Sequence, residues 1–283
     1  MKNVFSKITL LLLFFLVFLP GVAWAHQPRM VESRLTNVPD PEISKAYYGQ
    51  LVGQSDVYVI NASAPFDLYV NVLVPDIVGQ QKDVSVIVLK NGAELALLDG
   101  LNFEWKQFFE PFGYDTYWMG PEYKTRAEAG EYQIRVTSAD NTSKYALAIG
   151  QLEAFDFKQT KNALTLIPKL KRSFFNESPA GFIFSPFGYG LILIMFALSF
   201  VFGLSYRALL KKFAHGSRRG LRNNIGKPDR FLRLALSLGL LILAITTTWS
   251  PLLLFFSGFC LFESLFSWCG LYSALGKNSC PIN

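Results

Sequence analysis

The residues best suited to binding chemistry are aromatic and acidic side chains between Phe103 and Tyr123. Nine of these twenty-one residues are Phe, Tyr or Trp, and four are acids. Rings and carboxylates side by side can stack on a sugar or hold a peptide or a partner domain. Pro and Gly residues predict a loop here, and the alternative is that its rings cap the fold as core. The candidate binding residues are Trp105, Phe109, Tyr114, Tyr117 and Trp118.

Thiol chemistry is a second option, at Cys269 and Cys280, which follow the last apolar run. If that end is cytosolic, both thiols stay reduced. Two thiols could supply half of a zinc site that a second copy completes, a persulfide relay or a redox switch. The alternative is that Cys269 packs at a helix end and Cys280 ends a short tail. Cys260 lies within the apolar run and is expected to act as a small apolar side chain.

The residue inventory argues against most hydrolytic and metal chemistry. The chain has two histidines, lacks a Gly-x-Ser-x-Gly motif and shows no carboxylate spacing that singles out a catalytic pair. We therefore predict a non-enzymatic protein without a cofactor or a metal site. Copper binding at His26 stays open, because a new N-terminus there would offer an amine and an imidazole. Such a site needs a further His, which Met30 or an acid would have to replace.

The first 25 residues have the composition of a secretory signal peptide. Lys2 and Lys7 precede an apolar run over residues 8–19, and a small-residue motif ends at Ala25. The run is too short to cross the ~30 Å of a bilayer's hydrocarbon core. We expect cleavage after Ala25 and export of the residues that follow.

Three further apolar runs lie at residues 187–206, 231–249 and 251–272. Each is long enough to cross a bilayer as a helix, and the last two predict a tight hairpin over 231–272. Loop 207–230 carries eight basic residues and one acid, which marks it as cytoplasmic. The same orientation places residues 26–186 outside the bacterial cytoplasmic (inner) membrane and the tail 273–283 in the cytoplasm.

Charge is divided unequally along the chain. The formal net charge of +6 would by itself suggest a nucleic-acid partner. Residues 26–180 carry fifteen basic and nineteen acidic side chains, whereas residues 181–283 carry ten and two. The positive excess therefore belongs to the membrane-proximal loop. We predict the lipid bilayer as partner and no nucleic acid; a homo-oligomer, an envelope protein or a glycan ligand are possible further partners.

Residues 26–155 have the pattern of an antiparallel β-sandwich. Six segments are rich in β-branched and aromatic residues, and Gly and Asn mark the turns between them. The segments are 57–60, 66–74, 84–89, 94–98, 132–137 and 145–149. Their spacing favours two packed sheets, followed by three membrane helices, over an α/β fold.

Residues 156–186 form a predicted juxtamembrane segment. Basic and apolar residues alternate from Lys158 to Phe175, as in a segment that lies on lipid headgroups. Pro168 predicts that no continuous helix forms here. A plain linker is the alternative.

Two parts of the chain resemble known families. Gly130 opens a run of alternating Tyr and Val that ends at Val136, and Lys144-Tyr-Ala-Leu147 follows. This pattern resembles bacterial modules of the pre-peptidase C-terminal type, which are usually accessory and non-catalytic. The resemblance implies a sandwich and no specific function.

The second resemblance covers residues 222–282. The runs Asn224-Ile-Gly and Asp229-Arg-Phe-Leu-Arg precede the hairpin, and Cys269-Gly-Leu-Tyr and Ser279-Cys-Pro follow it. This pattern resembles the YgaP-like two-helix transmembrane domain. The resemblance implies a membrane hairpin with no established activity. Some members carry a rhodanese module, which is not recognisable here, so a sulfurtransferase role is not implied. Gly270 and Ser279 stand where Pro and Thr are usual.

Three charged residues open the second span. Asp229 follows Pro228 and is expected to be the N-cap, with its carboxylate on free backbone N–H groups. Arg230 and Arg233 are expected to anchor the helix at the headgroups.

Glu263 lies twelve residues into the third span. An acid at that depth is costly and is therefore a functional candidate. Helix geometry points Glu263 away from Arg233. A hydrogen bond to Ser237 or Ser264, or to a second copy, is equally expected.

The sequence thus favours a membrane protein that presents a non-enzymatic binding sandwich outside the membrane. The alternative function is thiol or sulfur handling by Cys269 and Cys280. A small transporter would need an oligomer.

Overall fold

The computed structural model describes residues 26–154, 156–213 and 223–280, which form two compact units divided after Gly181. The predicted signal peptide lies outside the described residues, as do residues 214–222 of the basic loop and the last three residues. The strands of the first unit are β1 Gln27–Met30, β2 Leu35–Asn37, β3 Lys45–Gln50, β4 Asp56–Ala62, β5 Phe66–Pro75, β6 Ser85–Lys90, β7 Ala93–Leu98, β8 Lys106–Glu110, β9 Asp115–Ala127, β10 Gly130–Thr137 and β11 Lys144–Ile149.

These strands form two sheets around one core, which confirms the predicted sandwich. The six-stranded sheet has the order β1-β3-β11-β5-β9-β8, and the five-stranded sheet has the order β2-β4-β10-β6-β7. All pairs are antiparallel except β1–β3 and β2–β4. The difference from a fully antiparallel fold arises because successive strands alternate between sheets at the start of the chain. Each returning strand therefore runs in the same direction as its neighbour.

The core follows from alternation along the strands. Leu68, Val70 and Val72 of β5 and Ile134 and Val136 of β10 are fully buried between the sheets. Burying one such side chain stabilises the fold by about 1.5–3 kcal/mol. The intervening residues of β3, β5 and β11 form the outer face of the six-stranded sheet, where helix α1, Phe157–Ser173, packs.

The aromatic segment is a β-hairpin, β8–β9, so the prediction of a loop is wrong. Gly120 and Pro121 lie inside β9. The ladder with β5 shifts register between Asn71 and Leu73, and the Asn71 side chain donates to the carbonyls of Gly120 and Pro121, both at 3.2 Å. The bulge therefore accommodates the proline, which has no N–H to donate.

Helix α1 corrects the prediction for the segment before the first span. It runs without interruption through Pro168, and the Asp156 side chain caps it by accepting from the Gln159 N–H at 2.7 Å. Leu170 and the following Phe174 pack against Ala146 and other residues of the outer sheet face. Tertiary packing offsets the cost of the internal proline, and the helix belongs to the sandwich unit rather than to a linker.

Among its described residues the second unit has four helices: α2 Pro186–Phe213, α3 Lys227–Thr246, α4 Pro251–Phe266 and α5 Gly270–Leu275. A 3-10 turn, Pro179–Phe184, precedes them. Within the described residues one helical stretch, Pro186–Leu210, is long and apolar enough to cross a membrane, and the apolar α4 is shorter. The run predicted as one helix over 251–272 is broken at Ser267, which adopts a left-handed conformation with φ 51°. The three-span topology stays a prediction.

Candidate functional site

A cavity of about 270 Å³ opens on the outer face of the six-stranded sheet. Strand alternation places Tyr48 of β3, Tyr69 and Asn71 of β5 and Ala148 of β11 along its wall. The β8–β9 hairpin closes one side with Phe108, and α1 contributes two apolar side chains. The cavity thus collects residues from seven elements of one compact unit.

Tyrosine hydroxyls form part of the wall. The Tyr48 and Tyr117 hydroxyl oxygens lie 3.1 Å apart and share a hydrogen bond. The two rings meet Phe174 and Phe175 edge to face, with centroids 5.1 and 5.3 Å apart. Burial raises the pKa of Tyr48 and of Tyr117 well above the ordinary value of 10. Both hydroxyls are therefore neutral at physiological pH.

A tight turn at the end of β8 brings two acids together. The Glu110 carboxylate accepts from the backbone N–H groups of Phe112 and Gly113, at 2.6 and 2.7 Å. A Cβ atom on Gly113 would lie 2.2 Å from a carboxylate oxygen of Asp115, so the glycine gives that carboxylate its space. Tyr114 completes the turn with a φ of 61°. The turn therefore presents Glu110 and Asp115 to the same cavity.

A buried ion pair ties this turn to α1. The Lys171 ammonium lies 2.5 Å from Asp115 Oδ1, 3.0 Å from the Tyr114 carbonyl and 3.8 Å from Glu177 Oε2. The Lys171 and Asp115 side chains are 1% and 8% exposed. Burial raises the pKa of Asp115 to about 7 although Lys171 opposes the shift. Burial also raises the pKa of Glu110.

His26 lines the same cavity. Its Nδ1 is hydrogen-bonded to the Ser44 hydroxyl, and burial lowers the pKa of the imidazole, which favours its neutral form. Among the described residues no group of three or more His, Cys, Asp and Glu side chains is placed to hold a metal ion. Copper binding at His26 stays untested.

The five predicted binding residues do not form one surface. Trp105 lies in the sandwich core, where its N–H donates to the Gly100 carbonyl at 2.7 Å. Tyr117 is buried on the opposite face of the sheet, beneath the residues that follow α1. Phe109 and Tyr114 are exposed and meet edge to face at 5.2 Å. The half-buried Trp118 donates to Asp76 at 2.9 Å.

Most of the residues that line the cavity were not predicted as site residues from the sequence. Tyr48, Tyr69 and Asn71 are polar residues at outward positions of strands that are apolar on their other face. That alternation indicates that one face of each strand lies against the core, and it is equally typical of an outer face that is solvated. Nothing in the sequence indicated that α1 would cover it.

Charged side chains join α3 to α4 in the second unit. Arg233 forms an ion pair with Glu263, a pairing that helix geometry had disfavoured. The Arg233 guanidinium also lies 3.6 Å from Asp229 and 5.3 Å from the centre of the Tyr272 ring. Side chains lean toward the N-terminus of their own helix, which would separate these two residues, but the arginine side chain is long and flexible enough to contact Glu263. Ser237, a predicted partner of Glu263, instead accepts at its carbonyl from the Ser257 hydroxyl at 2.9 Å.

The predicted N-cap is wrong, because Gly226 occupies that position and Asp229 lies in the first turn of α3. Asp229 instead accepts from the Ser279 hydroxyl at 2.9 Å. Lys227 and Pro228 already have helical conformation, and this moves the start of the helix ahead of Asp229.

Cys269 is buried and Cys280 half-buried, and the three described cysteines are free thiols. The Asn224 side chain accepts from the Cys269 N–H at 2.8 Å and donates to the Cys269 carbonyl at 2.9 Å. The Cys269 sulfur accepts from the Tyr272 N–H at 3.5 Å, which makes it the N-cap of α5. Cys269 thus has a packing role that needs no reactivity.

Solved structures are similar to less than half of this chain. One is the pre-peptidase C-terminal domain of a collagenase from Bacillus anthracis, with 13% identity, 44% of this chain and 95% of that chain covered and a TM-score of 0.24. Another is the sugar-binding EclA C-terminal domain, with 16% identity, 37% and 74% coverage and a TM-score of 0.23. A β-glucosidase from Paenibacillus barengoltzii matches at 8% identity over 46% of this chain and 14% of its own length, with a TM-score of 0.21. At such scores no conclusion about this chain rests on them.

The C-terminal region has a family match. A search of curated proteins found no match to the chain. The family model described as "Inner membrane protein YgaP-like, transmembrane domain" matches residues 221–283. This match supports a membrane location and lends no support to a thiol function of Cys269 and Cys280. It confirms the predicted resemblance: the last sixty-three residues of this chain are similar to the transmembrane domain of YgaP-like inner membrane proteins.

Proposed function

We propose that this protein is a binding protein of the bacterial cytoplasmic membrane, anchored by its C-terminal helices, and that its sandwich holds a small ligand outside the membrane without catalysing a reaction. The observation that carries the proposal is the cavity of about 270 Å³, which is walled by aromatic and acidic side chains of one compact unit. Ligand sites in proteins are concave, mostly apolar and equipped with a few polar groups. Exposed Phe109 and Tyr114 and the half-buried Trp118 would contact a larger partner, such as a glycan or an envelope protein.

The proposed orientation is supported by charge. The loop after α2 is rich in Lys and Arg, whereas the sandwich is acidic, as the positive-inside rule requires for an exported sandwich. The orientation is measured in cells where the three native cysteines are replaced by Ser. A single new cysteine, Ser55→Cys or Lys277→Cys, is exposed to a membrane-impermeant maleimide. Labelling at Ser55 without labelling at Lys277→Cys is expected, and the reverse pattern contradicts the orientation.

The binding proposal is tested by filling the cavity. Ala148 lies on its wall and Ala139 is exposed on a turn, so Ala148→Leu and Ala139→Leu are matched variants. The purified full chain is screened with sugars, amino acids and amines by thermal unfolding. A compound that stabilises the wild type and Ala139→Leu, but not Ala148→Leu, is the expected result. Equal stabilisation of all three proteins contradicts binding in this cavity.

A further inference from the structure

The cavity wall has a one-sided charge. Glu110 and Asp115 line it, and none of its nineteen lining residues is Lys or Arg. Lys171 lies behind Asp115 and is shared with Glu177 and the Tyr114 carbonyl. The two carboxyl groups of the wall thus outnumber the one ammonium behind it, so an anionic ligand is repelled and a cation is attracted.

Several uncharged polar groups of the wall already have hydrogen-bond partners in the protein. Asn71 uses its amide N–H groups on the carbonyls of Gly120 and Pro121. The Tyr69 hydroxyl donates to Glu122 at 2.9 Å, and the hydroxyls of Tyr48 and Tyr117 bond to each other. A ligand with many hydroxyl groups would have to displace these bonds. An alkylated ammonium needs no such partner and interacts with aromatic rings and carboxylates.

We infer that the cavity binds a small organic cation, an amine or quaternary ammonium compound, between its aromatic wall and Glu110. This inference rests on the proposed function, because it names the ligand class of the same cavity. Five of the lining residues are Tyr or Phe. The volume lies just below the ~300 Å³ at which ligand pockets begin, which limits the ligand to a few carbon atoms around the charge.

The test compares choline with its neutral isostere 3,3-dimethylbutan-1-ol, and with glucose. The full chain is placed in phosphatidylglycerol nanodiscs, which contain no choline, and binding is measured by calorimetry. Choline is expected to bind at least about tenfold more tightly than the other two probes, a difference of 1.4 kcal/mol. Equal binding of choline and the isostere, tighter binding of glucose, or no binding of choline overturns the inference.

Variants locate the cation. Glu110→Gln removes the charge and keeps an acceptor oxygen for one of the two turn N–H groups, which bond to different oxygens of Glu110. We expect at least tenfold weaker choline binding; Glu94→Gln, on the exposed β7, is the matched control. Phe108→Leu removes a ring from the partly exposed edge strand and is expected to weaken choline binding without unfolding the domain. Unchanged choline affinity in both cavity variants overturns the inference. If a compound of another class binds the wild type and Ala139→Leu but not Ala148→Leu, the cavity is still a binding site and only the inferred ligand class is wrong.

Discussion

Each unit of the molecule buries an ion pair between two elements, and the two pairs are built from different cations. In the sandwich, Lys171 of α1 meets Asp115 of β9 beside a cavity. In the helical unit, Arg233 of α3 meets Glu263 of α4. A carboxyl group left without its lysine can take up a proton, whereas an arginine left without its carboxylate stays charged. The comparison teaches that removal of Lys171 leaves a group that can become neutral, whereas removal of Glu263 leaves a group that stays charged.

The largest effect is expected from breaking the helical pair. Glu263→Leu leaves the Arg233 guanidinium with Asp229 at 3.6 Å and the Tyr272 ring at 5.3 Å. Removing one partner of a buried pair costs about 3–5 kcal/mol, and we expect that loss in the free energy of unfolding, measured by denaturation in mixed micelles. Glu263→Leu combined with Arg233→Met should recover most of the loss, with exposed Leu236→Ala as control. A double variant as unstable as the single one contradicts a pair whose role is structural.

A smaller, pH-dependent effect is expected in the sandwich. The pKa of Asp115 is raised to about 7 in the folded protein, above its unfolded value of ~3.9. The folded state therefore holds the proton more tightly, and stability falls as pH rises from about 4 through 7. Lys171→Met should cost about 1–3 kcal/mol at pH 8 and less than half of that at pH 5, where Asp115 is protonated.

Urea unfolding at the two pH values measures this difference. Lys169 is exposed on the same helix, so Lys169→Met is the matched control and should show no pH-dependent loss. An equal cost of Lys171→Met at pH 5 and pH 8 would show that Asp115 does not adjust its protonation.

The smallest effect is expected at Cys269. Its backbone is held by Asn224 and its sulfur accepts one weak bond from the Tyr272 N–H, and a serine hydroxyl can accept the same bond. Cys269→Ser should change the free energy of unfolding by less than about 1 kcal/mol. Cells that carry the variant should have the same phenotype as cells that carry the wild-type protein. A lost phenotype with unchanged stability would show that the helical unit also performs thiol chemistry.

Local patterns predicted the strands well and their tertiary neighbours poorly. Alternation identified β5 and β10, because one face of each is buried in the core. The same rules predicted a loop where β9 lies and no continuous helix through Pro168. In both cases contacts from elsewhere in the chain outweigh local propensity: Asn71 supports the bulge beside Pro121, and Leu170 is buried against the sheet.

The kinds of residue that form the candidate site could be predicted from the sequence, but the individual residues that line the cavity could not. The segment from Phe103 to Tyr123 was identified as a binding region, yet Trp105 faces the core whereas Glu110 faces the cavity. Which side these residues take depends on the register of β8 against β9 and of β9 against β5, and the second register shifts at a bulge. A one-residue shift moves every side chain to the other face.

The sequence by itself determined the class of each region: an acidic sandwich, apolar helices after it, and a C-terminal pattern that resembles one membrane family. Composition and periodicity are local properties, and they are sufficient for those conclusions. Only the tertiary structure decided that Lys171 reaches Asp115, that Arg233 reaches Glu263, and that a cavity lies under α1. These features join residues many positions apart, and their free energy comes from burial and charge pairing that exist only once the elements have packed.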